Sequence, residues 1–115
     1  MSSGARTPEE LETLFEDVFV VRDAWASADL FEADAVLAAR TDGREARGTA
    51  IGRLLEDLQA GGLVYVAEPR RILRVADTAL IVADGSISVA RRAGSRWRYS
   101  IALLDDDTTT KGRYS

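Results

Sequence analysis

Apolar residues recur at helical spacing between Leu11 and Trp25, which predicts an amphipathic helix over about residues 8–25. The start of this helix is marked by a capping threonine at Thr7, by the proline that follows it, and by Glu10 three residues after the cap. Its apolar face is wider than one packing surface needs, so we expect the helix to contact a sheet and a further element. A short helical turn is expected directly after it, before the first strand.

A strand, a turn and a second amphipathic segment follow. Residues 35–40 are typical of a strand, a Thr-Asp-Gly turn ends it, and residues 44–47 would form the return strand. Four apolar residues then fall at positions i, i+3, i+4 and i+7, and they are Ile51, Leu54, Leu55 and Leu58. This spacing predicts an amphipathic helix, which the Gly-Gly pair at residues 61–62 would end.

The rest of the chain is typical of strands. An extended stretch over residues 63–76 is expected to bend at Pro69, because proline cannot donate a hydrogen bond within a central ladder. Three further strands are expected at residues 78–83, 86–92 and 96–104. Asp84-Gly85 is the dipeptide of a type I′ hairpin, and apolar runs flank it on both sides. These signals predict an antiparallel meander of about four strands.

Together the elements predict an α+β fold, in which the helices lie across one face of a curved sheet. Residues 79–83 are apolar at successive positions, so we expect the sheet to be covered on both faces, once by the helices and once by a second copy of the protein. The domain would span residues 8–104, between a flexible N-terminus at residues 1–7 and a polar C-terminal tail at residues 105–115.

Composition argues against several classes of function. The chain has no Cys and no His, which removes the cysteine nucleophile, the Ser–His triad and the usual zinc ligands. A net charge of −4 argues against a nucleic-acid partner. No apolar run approaches the roughly 20 residues of a membrane span, and residues 1–6 are not typical of a signal peptide. We therefore expect a cytoplasmic protein without a membrane partner.

Three segments carry a family resemblance, and they are LFEADAVLAARTDG at the first strand, RGTAIGRLLEDL at the second helix and SRWRYSIALL at the last strand. In this order they resemble the nuclear-transport-factor-2-like superfamily, in its SnoaL-like and ketosteroid-isomerase-like branch. The resemblance covers about residues 8–104. It implies a cone-shaped barrel, with two to three N-terminal helices on the concave face of a mostly antiparallel sheet. It also implies a pocket between the sheet and the helices, and commonly a homodimer.

The same resemblance points to the positions that carry catalytic groups in isomerase members. The carboxylate base would fall on Ala39, an acid of the last strand would fall on Ala102, and the tyrosine of the first helix would fall near Val21. All three positions are apolar in this chain. The resemblance therefore implies the scaffold without the acid and base of the isomerases.

Two other carboxylates are candidates for acid–base chemistry. Asp84 and Glu68 are expected near the mouth of the cavity, where a low dielectric would favour proton exchange with a substrate. The ordinary interpretation of each is stronger, because Asp84 suits a turn and Glu68 precedes the proline bend.

Six aromatic residues are candidates to line a ligand pocket, and they are Phe15, Phe19, Trp25, Tyr65, Trp97 and Tyr99. Any one of them is more often an ordinary core residue. Tyr65 and Tyr99 are the better ligand candidates, because a buried hydroxyl needs a hydrogen-bond partner.

The charged clusters have simpler interpretations. Arginines within residues 70–74 and 91–98 could form a basic stripe, but the acidic total and the interleaved acids favour a solvated or dimer-edge face over nucleic-acid binding. Three aspartates at residues 105–107 lack the glycine-bearing loop of a cation site and are interpreted as part of a solvated tail. The chain has no phosphate loop, dinucleotide fingerprint or nucleophile elbow, so no metal or cofactor is expected.

The leading hypothesis is a homodimeric domain that binds a small apolar or weakly polar molecule in its cavity. One alternative is a non-catalytic module that docks a second copy or another partner through its sheet face. Another is a cofactor-free isomerase, cyclase or dehydratase of the SnoaL-like type.

Overall fold

The structure, a computed structural model, describes residues 4–40, 43–63, 65 and 68–105. Its elements in chain order are α1 (Pro8–Val20), α2 (Ala24–Ala28), β1 (Phe31–Ala39), β2 (Glu45–Arg47), a 3-10 turn (Gly48–Ala50), α3 (Ile51–Ala60), β3 (Pro69–Val75), β4 (Thr78–Ala83), β5 (Ser86–Ala93) and β6 (Arg96–Leu104). The six strands form one sheet in the order β2-β1-β6-β5-β4-β3. All neighbouring pairs are antiparallel except β1 and β6, which are parallel. The predicted α+β architecture is confirmed.

Helix α1 begins as predicted but ends at Val20, earlier than the apolar pattern indicates. Thr7 caps it by accepting a hydrogen bond from the backbone of Glu10 at 3.0 Å. At the other end the amide of Arg22 donates to Phe19 and the amide of Asp23 donates to Val18, both at 3.0 Å, and Arg22 has a φ of 62°. This pair of bonds is the Schellman motif, with an arginine where glycine is usual. The prediction of a single helix up to Trp25 is therefore wrong at its C-terminal end.

Helix α2 starts directly after this turn. The side chain of Asp23 accepts a hydrogen bond from the backbone of Ala26 at 3.0 Å and caps the helix. Because the chain reverses at Arg22, α2 packs mainly against α3 rather than extending α1. The short second helix that the sequence predicts is thus Ala24–Ala28, and it includes Trp25.

Strand β1 is longer than predicted and interrupted. It begins at Phe31, which pairs with Tyr99 of β6, and the next registered pair is Val36 with Ile101. Five steps along β1 therefore match two along β6, so the segment between Phe31 and Val36 bulges away from the ladder. Farther along, β1 pairs with the short return strand β2, close to the predicted bounds. The turn residues Thr41 and Asp42 lie outside the described residues.

The C-terminal strands follow the predicted meander. Pro69 opens β3 at the edge of the sheet, where the missing amide hydrogen costs no ladder bond. Of the extended stretch expected before it, residues 64, 66 and 67 lie outside the described residues. Asp84 does not have the positive φ of a type I′ turn, so that detail of the β4–β5 hairpin is wrong. Ala76, in the β3–β4 turn, has a φ of 53° instead.

The core lies between the helices and the inner face of the sheet. One inner row crosses all six strands, and its members are Ile72, Ile81, Ser88, Ala102, Leu37 and Ala46. Helix α1 covers this face with Leu11, Phe15 and Phe19, all buried. Ala5, just before α1, is also part of this core, because it is buried and accepts a hydrogen bond from the backbone of Trp97 at 2.8 Å.

None of the helices in the described part of the chain is long and apolar enough to cross a membrane. The longest, α1, has 13 residues. Of the predicted C-terminal tail, only Asp105 is described, and its amide donates to the carbonyl of Gly85 at 2.9 Å. The remaining tail residues lie outside the described ranges.

Candidate functional site

A groove of about 1010 Å³ opens where β1 bulges away from β6. Its apolar walls come from α1, α2 and the starts of β1 and β6, and they include Leu14, Val18, Trp25, Leu30, Phe31 and Trp97. The bulge creates this space because the segment after Phe31 no longer covers the first residues of β6. We call this cavity the groove.

Both tryptophans of the chain line the groove. Trp97 forms its floor and is fully buried, with the guanidinium of Arg74 4.9 Å from the ring centroid. Trp25 forms a wall and is 56% exposed, with its ring lying on Gly52 of α3. A methyl group at Gly52 would overlap that ring, so the glycine is what allows the two helices to approach.

A smaller pocket of about 360 Å³ adjoins the polar end of the groove. It shares Glu32, Ala33, Arg96 and Arg98 with the groove, and Asp34, Arg91 and Ala93 complete it. Arg91 donates to both carboxylate oxygens of Glu32 at 3.0–3.3 Å. These hydrogen bonds, with the negative charge of Glu32, raise the pKa of the Arg91 guanidinium. We call this cavity the charged pocket.

A buried polar cluster lies between α1 and the sheet. Glu12 is 1% exposed, and its carboxyl group accepts a hydrogen bond from the Tyr65 hydroxyl at 2.7 Å. The Tyr99 hydroxyl donates to the other carboxylate oxygen. Ser86 Oγ lies 3.2 Å from the Tyr65 hydroxyl and extends the network.

Burial governs the protonation of this cluster. Removal from water raises the pKa of Glu12, and the hydrogen bonds from the two tyrosines offset only part of that rise. Burial also raises the pKa values of Tyr65 and Tyr99, and the charge of Glu12 adds to both increases. The cluster therefore holds its protons more tightly than the same groups would in water.

Aromatic rings fill the space around the cluster. The Phe15 ring is central, with ring centroids 4.6 Å from Tyr65, 5.5 Å from Tyr99 and 5.9 Å from Phe31. Phe19 packs beside it at 5.5 Å. These rings occupy the interior, and the groove lies to the side of them. Of these rings, Phe31 also belongs to the groove wall.

The six predicted pocket aromatics thus separate into two groups. Trp25 and Trp97 line the groove, whereas Phe15, Phe19, Tyr65 and Tyr99 belong to the closed cluster around Glu12. Neither the groove nor the charged pocket is lined by all six.

The two predicted acids do not line either cavity. Asp84 lies in the β4–β5 turn, where it accepts a hydrogen bond from Arg70 Nε at 2.6 Å and remains exposed. Glu68 is exposed just before β3. The ordinary interpretation of both residues fits these positions better than a catalytic one.

The three positions that the family resemblance assigns to catalytic groups lie in two different environments. Ala39 and Ala102 are buried on the inner face of the sheet, at 1% and 3% exposure, and neither lines the groove or the charged pocket. Val21 is 70% exposed at the end of α1. None of these three positions therefore contributes a side chain to either cavity.

The acid of the interior is instead Glu12, which the sequence interpretation missed. A signal for it exists in the helical spacing. Pro8, Leu11 and Phe15 mark the buried face of α1, and Glu12 lies four residues after Pro8 and three before Phe15. Its position on the apolar face indicates a buried carboxyl group, but the sequence does not show which hydroxyls would reach it.

Ion pairs account for several members of the predicted arginine stripe. Arg70 pairs with Asp84, Arg91 with Glu32, and Arg92 with Asp77 at 2.6 Å. Among the described residues, no group of three or more acidic, histidine or cysteine side chains is arranged to hold a metal ion.

The fold is that of the nuclear-transport-factor-2-like proteins, as the sequence resemblance predicts. A protein from Novosphingobium aromaticivorans, described as NTF2-like with a cystatin-like fold, has a TM-score of 0.63 at 20% identity, over 93% of this chain and 86% of that one. No family model matches the sequence, and no curated protein matches it.

Two further solved structures have the same fold. One, from Thiobacillus denitrificans, is described as a calcium/calmodulin-dependent protein kinase type II association domain. It has a TM-score of 0.72 at 16% identity, over 90% of this chain and 98% of that one. A ketosteroid isomerase-like protein from Erwinia carotovora atroseptica has a TM-score of 0.66 at 15% identity, over 84% and 91% of the two chains. Identities this low indicate a shared fold and nothing further.

Proposed function

We propose that the protein is a small-molecule-binding domain and that its ligand occupies the groove. The observation that carries this proposal is the combination of an open space of about 1010 Å³ with mainly apolar walls and both tryptophans. Binding sites for small molecules are typically concave and apolar, with a few polar groups that fix orientation. The polar groups here lie at one end, in the charged pocket.

The residues at the expected catalytic positions favour ligand binding without catalysis. Ala39 and Ala102 offer no acid or base. Glu12 is the buried carboxyl group, but neither it nor its two tyrosine partners is among the residues that line the groove. A general acid or base must come within hydrogen-bond reach of the proton it transfers. A cofactor-free isomerase would therefore need another arrangement of the interior.

The groove is tested with a neutral apolar probe, N-phenyl-1-naphthylamine, whose emission rises in an apolar site. We expect saturable binding of one probe per chain, accompanied by a change in tryptophan emission. Val18→Glu places a charge in the groove wall and should weaken binding by about tenfold or more, since an unpaired charge next to an apolar ligand is costly. Val20→Glu is the matched control, because Val20 is on the same helix, 64% exposed, and outside the groove. Equal loss in both variants, or no binding to the wild type, would contradict the proposal.

A second function, self-association through the outer face of the sheet, is also proposed because the strand register places two apolar rows there. The first row crosses from β3 to β1 and consists of Leu73, Leu80, Val89, Ile101 and Val36. The second lies beside it and consists of Val82, Ile87, Leu103 and Ala38. Ile87 and Ile101 are 48% and 51% exposed in the single chain. Together the two rows are called the outer apolar face.

Charge at the two ends of this face favours a second copy as its partner. The second row begins next to Arg71 on β3 and ends next to Glu45 on β2. A two-fold axis parallel to the strands would place the β3 edge of one copy over the β2 edge of the other. Arg71 would then face Glu45 of the second copy at both ends of the interface, which is the self-complementarity that a two-fold contact requires.

A further inference from the structure

The charged pocket brings arginines and carboxylates together at the end of an apolar groove. Three guanidinium groups, of Arg91, Arg96 and Arg98, face two carboxylates, of Glu32 and Asp34. Glu32 is already occupied by its hydrogen bonds to Arg91. Asp34 is exposed, and its charge also acts on Arg91. Both carboxylates therefore act on Arg91, whereas none of the ion pairs among the described residues involves Arg98.

Arg98 is the residue of this pocket that is placed to bind an anion. It is half-buried in β6, it lines both the groove and the charged pocket, and it has no ion-pair partner in the part of the chain that the structure describes. Arg91 lies directly opposite it across the β5–β6 ladder, which adds a like charge instead of a partner. The side chain of Arg96 lies over Gly4 at the rim. A half-buried guanidinium group next to like charges is stabilised by an anion, and a carboxylate can accept two of its hydrogen bonds in parallel.

We propose that the ligand is an amphipathic anion: its apolar body lies in the groove against the two tryptophans, and its carboxylate binds Arg98 in the charged pocket. This inference rests on the proposed small-molecule function, since it assigns a chemical class to the ligand of the same groove. The four residues shared by the two cavities make one continuous site, so a single molecule can contact both. Arg98 is the specificity-determining residue of that site.

The test compares three probes with the same eight-carbon chain and different head groups: octanoate, 1-octanol and octylamine. Binding is measured by titration calorimetry and by the emission of Trp25 and Trp97, which both line the groove. We expect octanoate to bind about tenfold more tightly than octanol, in line with the strength of a charge-assisted hydrogen bond, and octylamine to bind most weakly. Added sodium chloride should reduce the advantage of octanoate without affecting octanol.

Variants assign the effect to Arg98. Arg98→Gln should reduce octanoate affinity to that of octanol, whereas Arg98→Lys, which keeps the charge but loses the two parallel hydrogen bonds, should retain only part of the difference. Arg53→Gln is the charge-matched control, because Arg53 is exposed on α3 and lies outside both cavities. The comparison of probes on the wild type does not depend on the folding of any variant.

The outcomes separate the two proposals. If octanol binds as tightly as octanoate, or if octylamine binds more tightly, the assignment of an anionic ligand is overturned while the small-molecule function stands. If Arg98→Gln keeps the full preference for octanoate, Arg98 is not the anion-binding residue and the inference is overturned. If neither the three eight-carbon probes nor the neutral naphthylamine binds, the proposed small-molecule function itself is overturned.

Discussion

Glu12 is a carboxyl group among aromatic rings, with two tyrosine hydroxyls as its donors and no cation among its described hydrogen-bond partners. A charged carboxylate in this setting loses its hydration, and two neutral donors replace only part of it. The raised pKa of Glu12 expresses this cost. Because burial destabilises the charged form of Glu12, the free energy of unfolding depends on pH. This dependence can be measured even though the cluster lies outside the groove.

The first prediction concerns Glu12→Gln. Because the pKa of Glu12 is higher in the folded chain than the usual value of 4.5, the folded state holds its proton over a pH range where the unfolded state has lost it. The stability that this proton contributes is fully present below about pH 4.5 and is lost as the pH rises through the folded pKa. Glutamine stays neutral and still accepts from one tyrosine hydroxyl and donates to the other. The stability of Glu12→Gln relative to wild type should therefore increase as the pH rises above about 4.5.

Thermal unfolding measured by circular dichroism at several pH values checks this prediction. Asp17→Asn is the control, because it removes the same kind of charge at an exposed position on the same helix. A constant difference between Glu12→Gln and wild type across the range would show that Glu12 has the same affinity for protons in the folded and unfolded states.

At the level of elements, two helix ends with the same backbone geometry differ in how well the sequence predicts them. Helix α3 ends with Gly62 at a φ of 98°, and the amides of Gly62 and Leu63 donate to Gln59 and Leu58 at 3.0 Å. Helix α1 ends with the equivalent bonds, but with Arg22 in the left-handed position. Glycine marks the first end in the sequence, whereas no local residue marks the second. The reversal at Arg22 instead follows from the packing of α2 against α3.

The second prediction is that Arg22→Gly stabilises the protein. A left-handed conformation costs a non-glycine residue roughly 1–2 kcal/mol. Glycine avoids this cost, but it loses about 0.5–1 kcal/mol more in chain entropy on folding, which offsets part of the gain. The free energy of unfolding should rise by up to about 1 kcal/mol, which corresponds to roughly 4 °C in the melting temperature. Denaturant unfolding of Arg22→Gly and Arg22→Ala checks it, because alanine removes the same side chain but keeps the strain. A gain in both variants, or in neither, would contradict the backbone explanation.

At the level of the whole molecule, the sequence predicts the helix and sheet layers better than it predicts the groove and the charged pocket. Helix and strand periods, together with the segment order, are sufficient for two N-terminal helices over a mostly antiparallel sheet. The groove is not predictable in this way, because it depends on the parallel pairing of β1 with β6 and on the bulge after Phe31. Trp97 is far from Phe31 along the chain, so no local pattern relates them. The charged pocket is likewise assembled from β1, β5 and β6.

The same register accounts for the outer apolar face, since side chains in one row across a sheet share a face. The sequence shows only that residues 79–83 are apolar at successive positions. The register shows that their outward members continue into Ile87, Ile101 and Val36 on neighbouring strands. An exposed apolar surface that extends over five strands is more than scattered surface residues provide, and it is typical of an interface.

The last prediction concerns that surface. In solution at micromolar concentration, light scattering after size exclusion should give twice the 12.5 kDa mass of the chain. Ile101→Glu should give the monomer mass, because it places a charge at the centre of the outer apolar face, where a two-fold contact would bring two such charges together. Val20→Glu, an exposed apolar-to-acidic change on α1, should leave the dimer intact.

A monomeric wild type would rule out self-association through this face. A dimer that survives Ile101→Glu would place the contact elsewhere on the molecule. Ile101 does not line the groove, so dissociation by Ile101→Glu should leave probe binding unchanged. The two proposed functions can therefore be tested separately.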